Sequence, residues 1–389
     1  MDVIQPKSAL RFILLLGTVS LCADMTYEGA RSITGAYLAT LGASGTVVGL
    51  VAGLGELIGY GLRLLVGYLS DATGKYWRIT TLGYALNTAV VPLLAWAGNW
   101  QTAAGLMLGE RTGKAIRTPP RDVLLSHAAL KLGGGLGFGI HEAMDQIGAV
   151  MGPLVVALML TWNQGYRGGF AILALPAVLG MMVLLVTQKI YPNPREFEEA
   201  TWELQSQGLP RQFWIYLAAV ALIAAGYADF PLIAFHLNRE AIATPTAIPL
   251  IYALAMGVDA IAALAFGYLF DRLGIAVLII AVLLSAGFPI LVFLTAVQSV
   301  WLGMVLWGVG MGAQESILKA VVAQLVPPER RGSAFGLFNT GYGLAWFLGS
   351  VLMGFLYDRN LGLLVIFSTT IQLLAIPLLL WVIWGRGDQ

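Results

Sequence analysis

The sequence predicts an all-α membrane protein with about twelve transmembrane helices in two pseudo-symmetric six-helix bundles. Three observations predict this fold class: the composition, a succession of long apolar runs, and the return of first-half motifs in the second half. Of the 389 residues, 58% are hydrophobic and only 11% are charged, with a mean hydropathy of +0.79. A soluble domain carries about 25% charged residues, so most of this chain is expected to lie in lipid.

The apolar runs have the length that a bilayer requires, about 20 residues in a helix. The first run follows Lys7 and Arg11, as in a signal peptide, but continues past Cys22 without a small-residue cleavage site. We therefore interpret it as a retained first helix. The predicted spans are 10–40, 45–70, 77–98, 101–125, 133–162, 167–188, 212–238, 246–270, 274–297, 299–326, 333–357 and 361–384.

A polar segment separates the first six spans from the last six. Residues 189–211 combine Pro192 and Pro194 with many charged side chains, a composition typical of a solvated linker. The chain is therefore divided into an N-terminal six-helix bundle at 1–188, this linker, and a C-terminal six-helix bundle at 212–389.

Lysine and arginine in the predicted loops concentrate on the side of the linker. Only Arg167, Arg239 and Arg359 fall at the opposite side. Because positive residues are enriched in cytoplasmic loops, we expect the linker and both termini in the cytoplasm. The setting would be the cytoplasmic (inner) membrane of a bacterium or archaeon.

The two halves repeat each other's motifs. Residues 67–71 read GYLSD, and residues 267–271 read GYLFD. Ala23-Asp24 in the first span recurs as Ala228-Asp229 in the seventh. Two similar six-helix halves with a substrate path between them are a transporter architecture.

These motifs resemble those of the major facilitator superfamily, and the resemblance covers the whole chain. The family's signature after helix two is G-x-x-x-D-[RK]-x-G followed by basic residues, matched here by Gly67, Asp71, Gly74, Lys75 and Arg78. Ala72 departs from it where a basic residue is expected. The second copy has the basic residue, Arg272 after Asp271, but lacks the basic residues that should follow at 275–277.

The fifth span resembles the antiporter motif of exporters in that family, a G-x-x-x-G-P core formed by Gly148, Gly152 and Pro153. Glycines at this spacing let two membrane helices approach closely, and proline permits a bend. Plain helix packing is the alternative interpretation. The fourth span is rich in basic residues, as in a bacterial exporter-like subset of the family.

Charged residues concentrate within the spans of the first half. A charge at the bilayer centre costs about 2.5–3.5 kcal/mol, so such residues pair, face the interior or line a wet cavity. The resemblance implies that helices one and four line the central path. The candidates for a substrate and proton cavity are Asp24, Tyr27, Glu28, Arg31, Glu56, Glu110, Arg111, Lys114, Glu142, Asp145, Asp229, Asp259, Tyr342 and Trp346.

Glu142 and Asp145 are like charges one helical turn apart. Mutual repulsion and desolvation favour the neutral form of one of them. A buried carboxyl that exchanges its proton is what proton coupling requires. Neutralisation by Arg111 or Lys114 on helix four is the alternative.

A second group of residues is predicted to form a conformational gate. Most of its members lie at the predicted cytoplasmic ends of helices, and Glu315 and Lys319 are spaced to pair across one turn. The group comprises Gly67, Asp71, Arg78, Arg117, Arg121, Asp122, Asp271, Arg272, Glu315 and Lys319.

The sequence therefore predicts a secondary active transporter that moves a small organic solute by alternating access. The nucleotide-binding signature G-x-x-x-x-G-K-[ST] is not in the sequence, so the energy should come from ion coupling or from the gradient of the substrate itself. Proton-coupled export by antiport is the first expectation. An importer or facilitative carrier for a polar or anionic metabolite is the alternative, favoured by the basic fourth helix.

The expected partners are a small-molecule substrate, protons as coupling ion and the lipid bilayer. We expect a monomer without cofactor or metal. A net charge of +1 argues against nucleic acid. The sequence offers no compelling pair of a nucleophile and a base that would indicate an enzyme.

Overall fold

The computed structural model describes residues 6–132, 134–192, 208–327 and 330–384. Within these ranges every regular element is a helix. Most of the predicted linker, 193–207, lies outside the described residues. The first half contains α1 (Pro6–Thr40), α2 (Gly45–Thr73), α3 (Tyr76–Leu93, followed by a 3-10 turn at Leu94–Trp96), α4 (Trp100–Leu132), α5 (Gly134–Thr161), α6 (Gly165–Ile172) and α7 (Ala174–Ile190).

The second half contains nine helices in the described residues. They are α8 (Arg211–Gly226), α9 (Phe230–Arg239), α10 (Ala247–Leu273), α11 (Ala276–Ser285), α12 (Phe288–Phe293), α13 (Val297–Leu325), α14 (Arg331–Arg359), α15 (Leu361–Leu373) and α16 (Ala375–Trp384). Four consecutive pairs, α6–α7, α8–α9, α11–α12 and α15–α16, each occupy one predicted span.

Counting each pair once, these helices form twelve segments, which agrees with the predicted number. Ten of them are long and apolar enough to cross a membrane. The other two are α4, which carries more charged residues than any other helix of the first half, and α13. Large apolar side chains point outward on several segments, for example Leu264 at 80% exposure, as lipid-facing positions would. The prediction of a polytopic all-α membrane protein is confirmed.

Prolines explain two of the interruptions inside spans. Residues 173–176 read LALP and residues 374–377 read LAIP, and a new helix begins at the alanine in both cases. Proline has no N–H and its ring clashes with the carbonyl four residues earlier. Similar short sequences therefore interrupt the last span of each half, which adds to the internal repeat.

Packing divides the chain into two compact units. The first comprises Met1–Ile33 and Gly61–Ala200, and the second comprises Thr34–Tyr60 and Thr201–Gln389. The end of α1 and the first half of α2 thus belong to the second unit. The sequence-based division at 188 and 212 follows the repeat instead, and it stays a prediction.

The first unit has an apolar core built by α1, α3, α4 and α7. Phe12 packs edge-on against Trp77 and Tyr191, with ring centroids 6.2 and 5.1 Å away. The indole Nε1 of Trp77 donates to the Tyr191 carbonyl at 2.9 Å. Ile13 and Leu16 on α1 are fully buried in this core. This core holds α1 beside α4, where the charged residues of both helices meet.

Close packing of α3 on α4 depends on two glycines. A Cβ on Gly113 would lie 2.3 Å from the backbone nitrogen of Asn87, and one on Gly83 would lie 2.4 Å from that of Arg117. Contacts this short with backbone atoms can be relieved only by moving the helices apart. The two helices therefore require glycine at these positions.

We predict that Gly113→Ala lowers the free energy of unfolding by about 1–3 kcal/mol, the usual effect of overpacking. Gly105→Ala on the same helix is the matched control, because a Cβ there meets nothing within 4 Å. The control should be neutral or slightly stabilising, since alanine favours the helix. Thermal denaturation of the purified protein in detergent measures both. Equal melting temperatures would contradict the close α3–α4 contact.

In the second unit, glycines bring α2 against α14. A Cβ on Gly49 would lie 2.3 Å from the Ser350 carbonyl oxygen and 2.9 Å from the Cα of Gly354. At the end of α1, a Cβ on Gly35 would lie 1.8 Å from the Pro231 carbonyl oxygen. Both contacts follow the use of small residues where membrane helices touch.

Candidate functional site

The centre of the charged cluster in the first unit is an ion pair between α1 and α4. Arg117 Nη2 donates to Asp24 Oδ1 at 3.1 Å, and the two residues are 1% and 8% exposed. The guanidinium carbon also lies 4.5 Å from the ring centroid of Tyr84 on α3. Arg117, predicted as a gate residue, thus lies with the predicted cavity residue Asp24.

A second cation of α4 contacts α1 one turn away. The Lys114 ammonium donates to the Tyr27 hydroxyl and lies 3.8 Å from the centroid of its ring. Tyr27 is buried. The predicted cavity residues Tyr27 and Lys114 are therefore neighbours of the Arg117–Asp24 pair.

Glu110 connects α4 to α3. Its Oε1 accepts from Asn87 Nδ2 at 2.7 Å, and its Oε2 lies 3.5 Å from Arg111 Nε. Asn87 also donates to the Glu110 carbonyl at 3.1 Å. Asn87 is fully buried, so it acts as an internal hydrogen-bond donor to a buried carboxylate, which would be unfavourable without a partner.

Arg121 joins α1, α4 and α5. It binds Asp122 Oδ1 through Nε at 2.9 Å and Nη2 at 2.7 Å, and its Nη1 donates to the Ser20 hydroxyl at 3.0 Å. The same Nη1 lies 3.7 Å from Asp145 Oδ2. Ser20 in turn shares a hydrogen bond with the Tyr84 hydroxyl at 3.1 Å. These contacts link the predicted gate and cavity residues in one network.

The remaining cavity candidates of the first unit differ in how far their side chains are exposed. Glu28 and Arg31 are 5% and 9% exposed, next to Asp24 along α1. Glu142 is exposed, whereas the side chain of Asp145 is only 13% exposed. Glu142 and Asp145 therefore lie on the same helix but have different surroundings. The cavity roles of all four stay predictions.

The helix-five motif packs on α1. A Cβ on Gly148 would lie 2.3 Å from the Leu21 carbonyl oxygen, and one on Gly152 would lie 2.3 Å from the Met25 carbonyl oxygen. These carbonyls flank Asp24 in sequence. The motif therefore sets the distance between α5 and the segment of α1 that carries the central carboxylate.

Aromatic side chains form a cluster in the second unit. The ring centroids of Tyr342 and Trp346 are 5.5 Å apart, and Trp346 lies 5.9 Å from Tyr227. Tyr60 of α2 lies 5.2 Å from Tyr342, whose hydroxyl donates to Gln314 Oε1 at 3.2 Å. The predicted pocket residues Tyr342 and Trp346 are thus at the centre of this cluster.

The seventh span, predicted as one helix over 212–238, is interrupted at residues 227–229. Asp229 ends the break as the N-cap of α9, with its Oδ1 accepting from the Phe230 N–H at 2.8 Å. Pro231 follows in the first turn of α9, a position that proline tolerates. Asp229 thus has a structural role in addition to its predicted cavity role.

The backbone carbonyls at this break are bound by side chains from later helices. Trp307 Nε1 donates to the Ala228 carbonyl at 3.0 Å. Gln372 Nε2 donates to the Gly226 carbonyl at 3.1 Å, and the Ser368 hydroxyl donates to the same oxygen. Inside lipid an unpaired carbonyl is unfavourable, so these three side chains permit the interruption.

The other predicted charges of the second unit are distributed over three helices. Asp259 on α10 is fully buried and Glu56 on α2 is 9% exposed, whereas Glu315 and Lys319 on α13 are exposed. Gly312 brings α13 against the backbone of Asp259, where a Cβ would lie 2.4 Å from its carbonyl oxygen. Their roles stay predictions.

The doubled motif residues lie at helix ends. Asp71, Arg78, Asp271 and Arg272 are all exposed. Asp71 Oδ1 accepts from the Tyr76 hydroxyl at 3.0 Å, and the Arg272 guanidinium lies 4.4 Å from the Tyr268 ring centroid. A Cβ on Gly67 would have Pro119 of α4 as its nearest neighbour, at 3.8 Å. These contacts are compatible with the predicted gate role.

One polar contact of the second unit was not predicted. Asp358, at the end of α14, accepts from the N–H groups of Gly45 and Thr46 at 2.9 and 2.7 Å and from the Thr46 hydroxyl at 2.7 Å. Arg239 Nη1 lies 3.5 Å from the same carboxylate. Asp358 therefore caps α2 although it lies 313 residues from Gly45. The spacing of Gly45, Gly49 and Gly53 was the available signal for this contact.

We predict that Asp358→Ala lowers the free energy of unfolding by about 1–2 kcal/mol. The substitution removes a helix cap and a negative charge at the N-terminus of α2, each worth roughly 1 kcal/mol. Glu240→Ala is the control, because Glu240 is exposed near Arg239 and makes none of the hydrogen bonds of Asp358. Thermal denaturation in detergent should show a lower melting temperature for Asp358→Ala alone.

A succession of membrane-length helices with buried charges on facing helices defines a multi-pass membrane protein. The chain matches the model of the Major Facilitator Superfamily over residues 16–350, with a further match over 228–388. It belongs to that superfamily, and the family prediction is confirmed.

Relatives of similar length come from bacteria and archaea. The protein Rv2265 of Mycobacterium tuberculosis is 42% identical over 96% of this chain and 93% of its own length. The MFS-type transporter MJ1317 of Methanocaldococcus jannaschii is 28% identical over 95% and 94%. The multidrug resistance protein MdtH of Proteus mirabilis is 24% identical over 83% and 80%.

Solved structures share the fold. The nucleoside transporter NupG (D323A mutant) superposes with a TM-score of 0.75 over 94% of this chain and 99% of its own, at 14% identity. A POT family transporter in complex with 5-aminolevulinic acid gives a TM-score of 0.78 over 97% and 96%, also at 14% identity. At this identity the likeness shows the fold alone.

Proposed function

We propose that this protein is a proton-coupled secondary transporter that exports a small organic solute in exchange for protons. The observation that carries the proposal is the buried network of opposite charges on α1, α4 and α5. Asp24 and Glu110 are each under 10% exposed, and each contacts a cation of α4. Buried carboxylates beside movable cations can take up and release a proton when the packing around them changes.

Two observations support the export direction. The Gly148–Gly152 face of α5 packs on α1 beside Asp24, as expected for the motif that resembles the antiporters. MdtH, a relative over most of the chain, is named a multidrug resistance protein. The aromatic cluster of the second unit would suit an amphipathic solute.

A second candidate function is the uptake or facilitated passage of an anionic metabolite. It is favoured by Arg117, which is 1% exposed and donates from Nη2 to Asp24. Within the described residues its Nε and Nη1 have no hydrogen-bond acceptor. An acidic group of a solute could accept from them.

Transport by the purified protein distinguishes these functions. A thermal-shift screen against metabolites and drugs selects solutes, and each hit is then tested in proteoliposomes with an imposed pH gradient. Proton-coupled export predicts solute movement against its gradient when protons flow the opposite way. Solute movement that no pH gradient accelerates would contradict the proposal and favour a facilitative carrier.

We further propose that both termini and the linker face the cytoplasm, supported by the distribution of lysine and arginine. Single cysteines are introduced by Asn99→Cys and Gln205→Cys and are labelled from outside intact cells with a membrane-impermeant maleimide. Labelling is expected at 99 and, only after permeabilisation, at 205. The single native cysteine, Cys22, is buried and should give little background. Labelling at 205 but not at 99 in intact cells would contradict the proposal and indicate the opposite topology.

A further inference from the structure

One buried pair in the first unit has polar atoms that the network does not satisfy. His141 and Asp145 lie one turn apart on α5, with Nδ1 and Oδ2 3.5 Å apart. The side chain of His141 is 3% exposed and that of Asp145 is 13% exposed. Within the described residues, neither His141 Nε2 nor Asp145 Oδ1 has a hydrogen-bond partner. Because buried polar atoms generally have a hydrogen-bond partner, these two atoms on adjacent side chains require an explanation.

The nearest cation only partly neutralises Asp145. Arg121 Nη1 lies 3.7 Å from Asp145 Oδ2, but it donates its hydrogen bond to the Ser20 hydroxyl. The same guanidinium makes two shorter contacts with Asp122, at 2.7 and 2.9 Å. Asp122 therefore holds Arg121 more tightly, while Asp145 Oδ1 accepts no hydrogen bond from the part of the chain that the structure describes.

The surroundings of the pair contain charges of both signs. Asp24 on α1 and Glu142 on α5 act on Asp145 as like charges, and two arginines of α4 act on both members of the pair. The facing groups are Asp24, Glu142, Arg117 and Arg121, with Asp122 bound to Arg121. A movement of α4 relative to α5 would change the separation of Asp145 from both arginines at once.

We propose that Asp145 is the residue that holds the coupling proton and that His141 is its positioning residue. The inference rests on the proposed function, because a coupling proton exists only in a proton-driven transporter. In the neutral ring with hydrogen on Nδ1, His141 faces Asp145 Oδ2 with a donor and stabilises the carboxylate. A proton delivered by hydronium forms an O–H bond at Oδ1 and leaves water, and release reverses this step.

Infrared spectroscopy of the purified protein in lipid vesicles tests the proposal without knowledge of the solute. The carbonyl band of protonated carboxylic acids is followed as the pH is lowered. Asp145→Asn should remove one titrating band, and Asp145→Glu should shift its frequency. His141→Leu should raise the proton affinity of that group about tenfold, since a donor to its charged form is lost. His141→Gln, which keeps an N–H donor, should restore most of the original midpoint.

His236→Gln is the matched control. His236 is 1% exposed in the second unit, with Nδ1 3.1 Å from the Tyr357 hydroxyl, so a general effect of losing a buried imidazole would appear there too. The proposal is overturned if Asp145→Asn leaves every titrating band in place. It is equally overturned if His141→Leu leaves the midpoint unchanged, or if His236→Gln moves it as far as His141→Leu does.

The same variants separate this inference from the proposed function. If the Asp145 band titrates as expected but a pH gradient drives no solute, Asp145 is a proton-binding site and the proposed proton-coupled function is wrong. If gradient-driven transport is found and survives Asp145→Asn, the function stands and the coupling proton is on another residue.

Discussion

Arg117→Ala is expected to lower the free energy of unfolding by about 3–5 kcal/mol, the usual effect of removing one partner of a buried ion pair. Arg117 and Asp24 are both almost fully buried. The substitution therefore removes the guanidinium that pairs with the Asp24 carboxylate and leaves that carboxylate buried. The measurement is thermal denaturation together with the yield of monodisperse protein in detergent.

The double variant identifies the cause of this loss. Asp24→Asn removes the charge that Arg117→Ala leaves behind, so Arg117→Ala combined with Asp24→Asn should recover a large part of the stability. Arg78→Ala is the control because Arg78 is exposed, and its effect should stay within about 0.5 kcal/mol. A double variant no more stable than Arg117→Ala would mean that packing of the arginine on Tyr84, and not the ion pair, determines its contribution.

The second large effect is a separation of two transport activities. Replacing each of Asp24, Glu28, Glu142 and Asp145 by its amide mimics permanent protonation. At least one variant, Asp145→Asn by our inference, should lose transport driven by a pH gradient while keeping solute exchange across the membrane. The reason is that exchange needs only the solute site, whereas driven transport needs a carboxyl that gains and loses a proton in each cycle.

Paired assays in proteoliposomes measure this separation with a solute from the thermal-shift screen. One follows uptake with an imposed pH gradient and the other follows counterflow without one. Glu240→Gln, an exposed carboxyl of the second unit, should keep both activities. If all four amide variants keep wild-type transport driven by the pH gradient, the proton site is one of Asp229, Asp259 and Glu315, or the protein is not proton-coupled.

Helix number and fold class could be predicted from the sequence because both follow from the length of apolar runs. The interruption of the seventh span was missed because 212–238 was interpreted as one apolar run, although Asp229 and Pro231 are a typical N-cap and first-turn proline of a new helix. The side chains that bind its carbonyls, Trp307, Ser368 and Gln372, could not be predicted, because they are distant in sequence and carry no signal of where they bind.

The charged residues of the first unit were recognised by type and depth, but their partners were not. Spacing along one helix finds neighbours such as Glu110 and Arg111, whereas the Arg117–Asp24 pair joins residues 93 positions apart. Rotation of a helix about its own axis is also set by its neighbours. Spacing alone therefore treated Glu142 and Asp145 alike, although only Asp145 is largely buried.

The three donors at the break in the seventh span also impose an order on biosynthesis. The chain enters the membrane from its N-terminus, so the carbonyls of Gly226 and Ala228 reach the bilayer well before Trp307 and, later still, Ser368 and Gln372. Until the last span is inserted, the Gly226 carbonyl lacks its two side-chain donors and is best satisfied near water. A nascent chain that stops before residue 368 therefore lacks two of the three side chains that bind carbonyls at the native break.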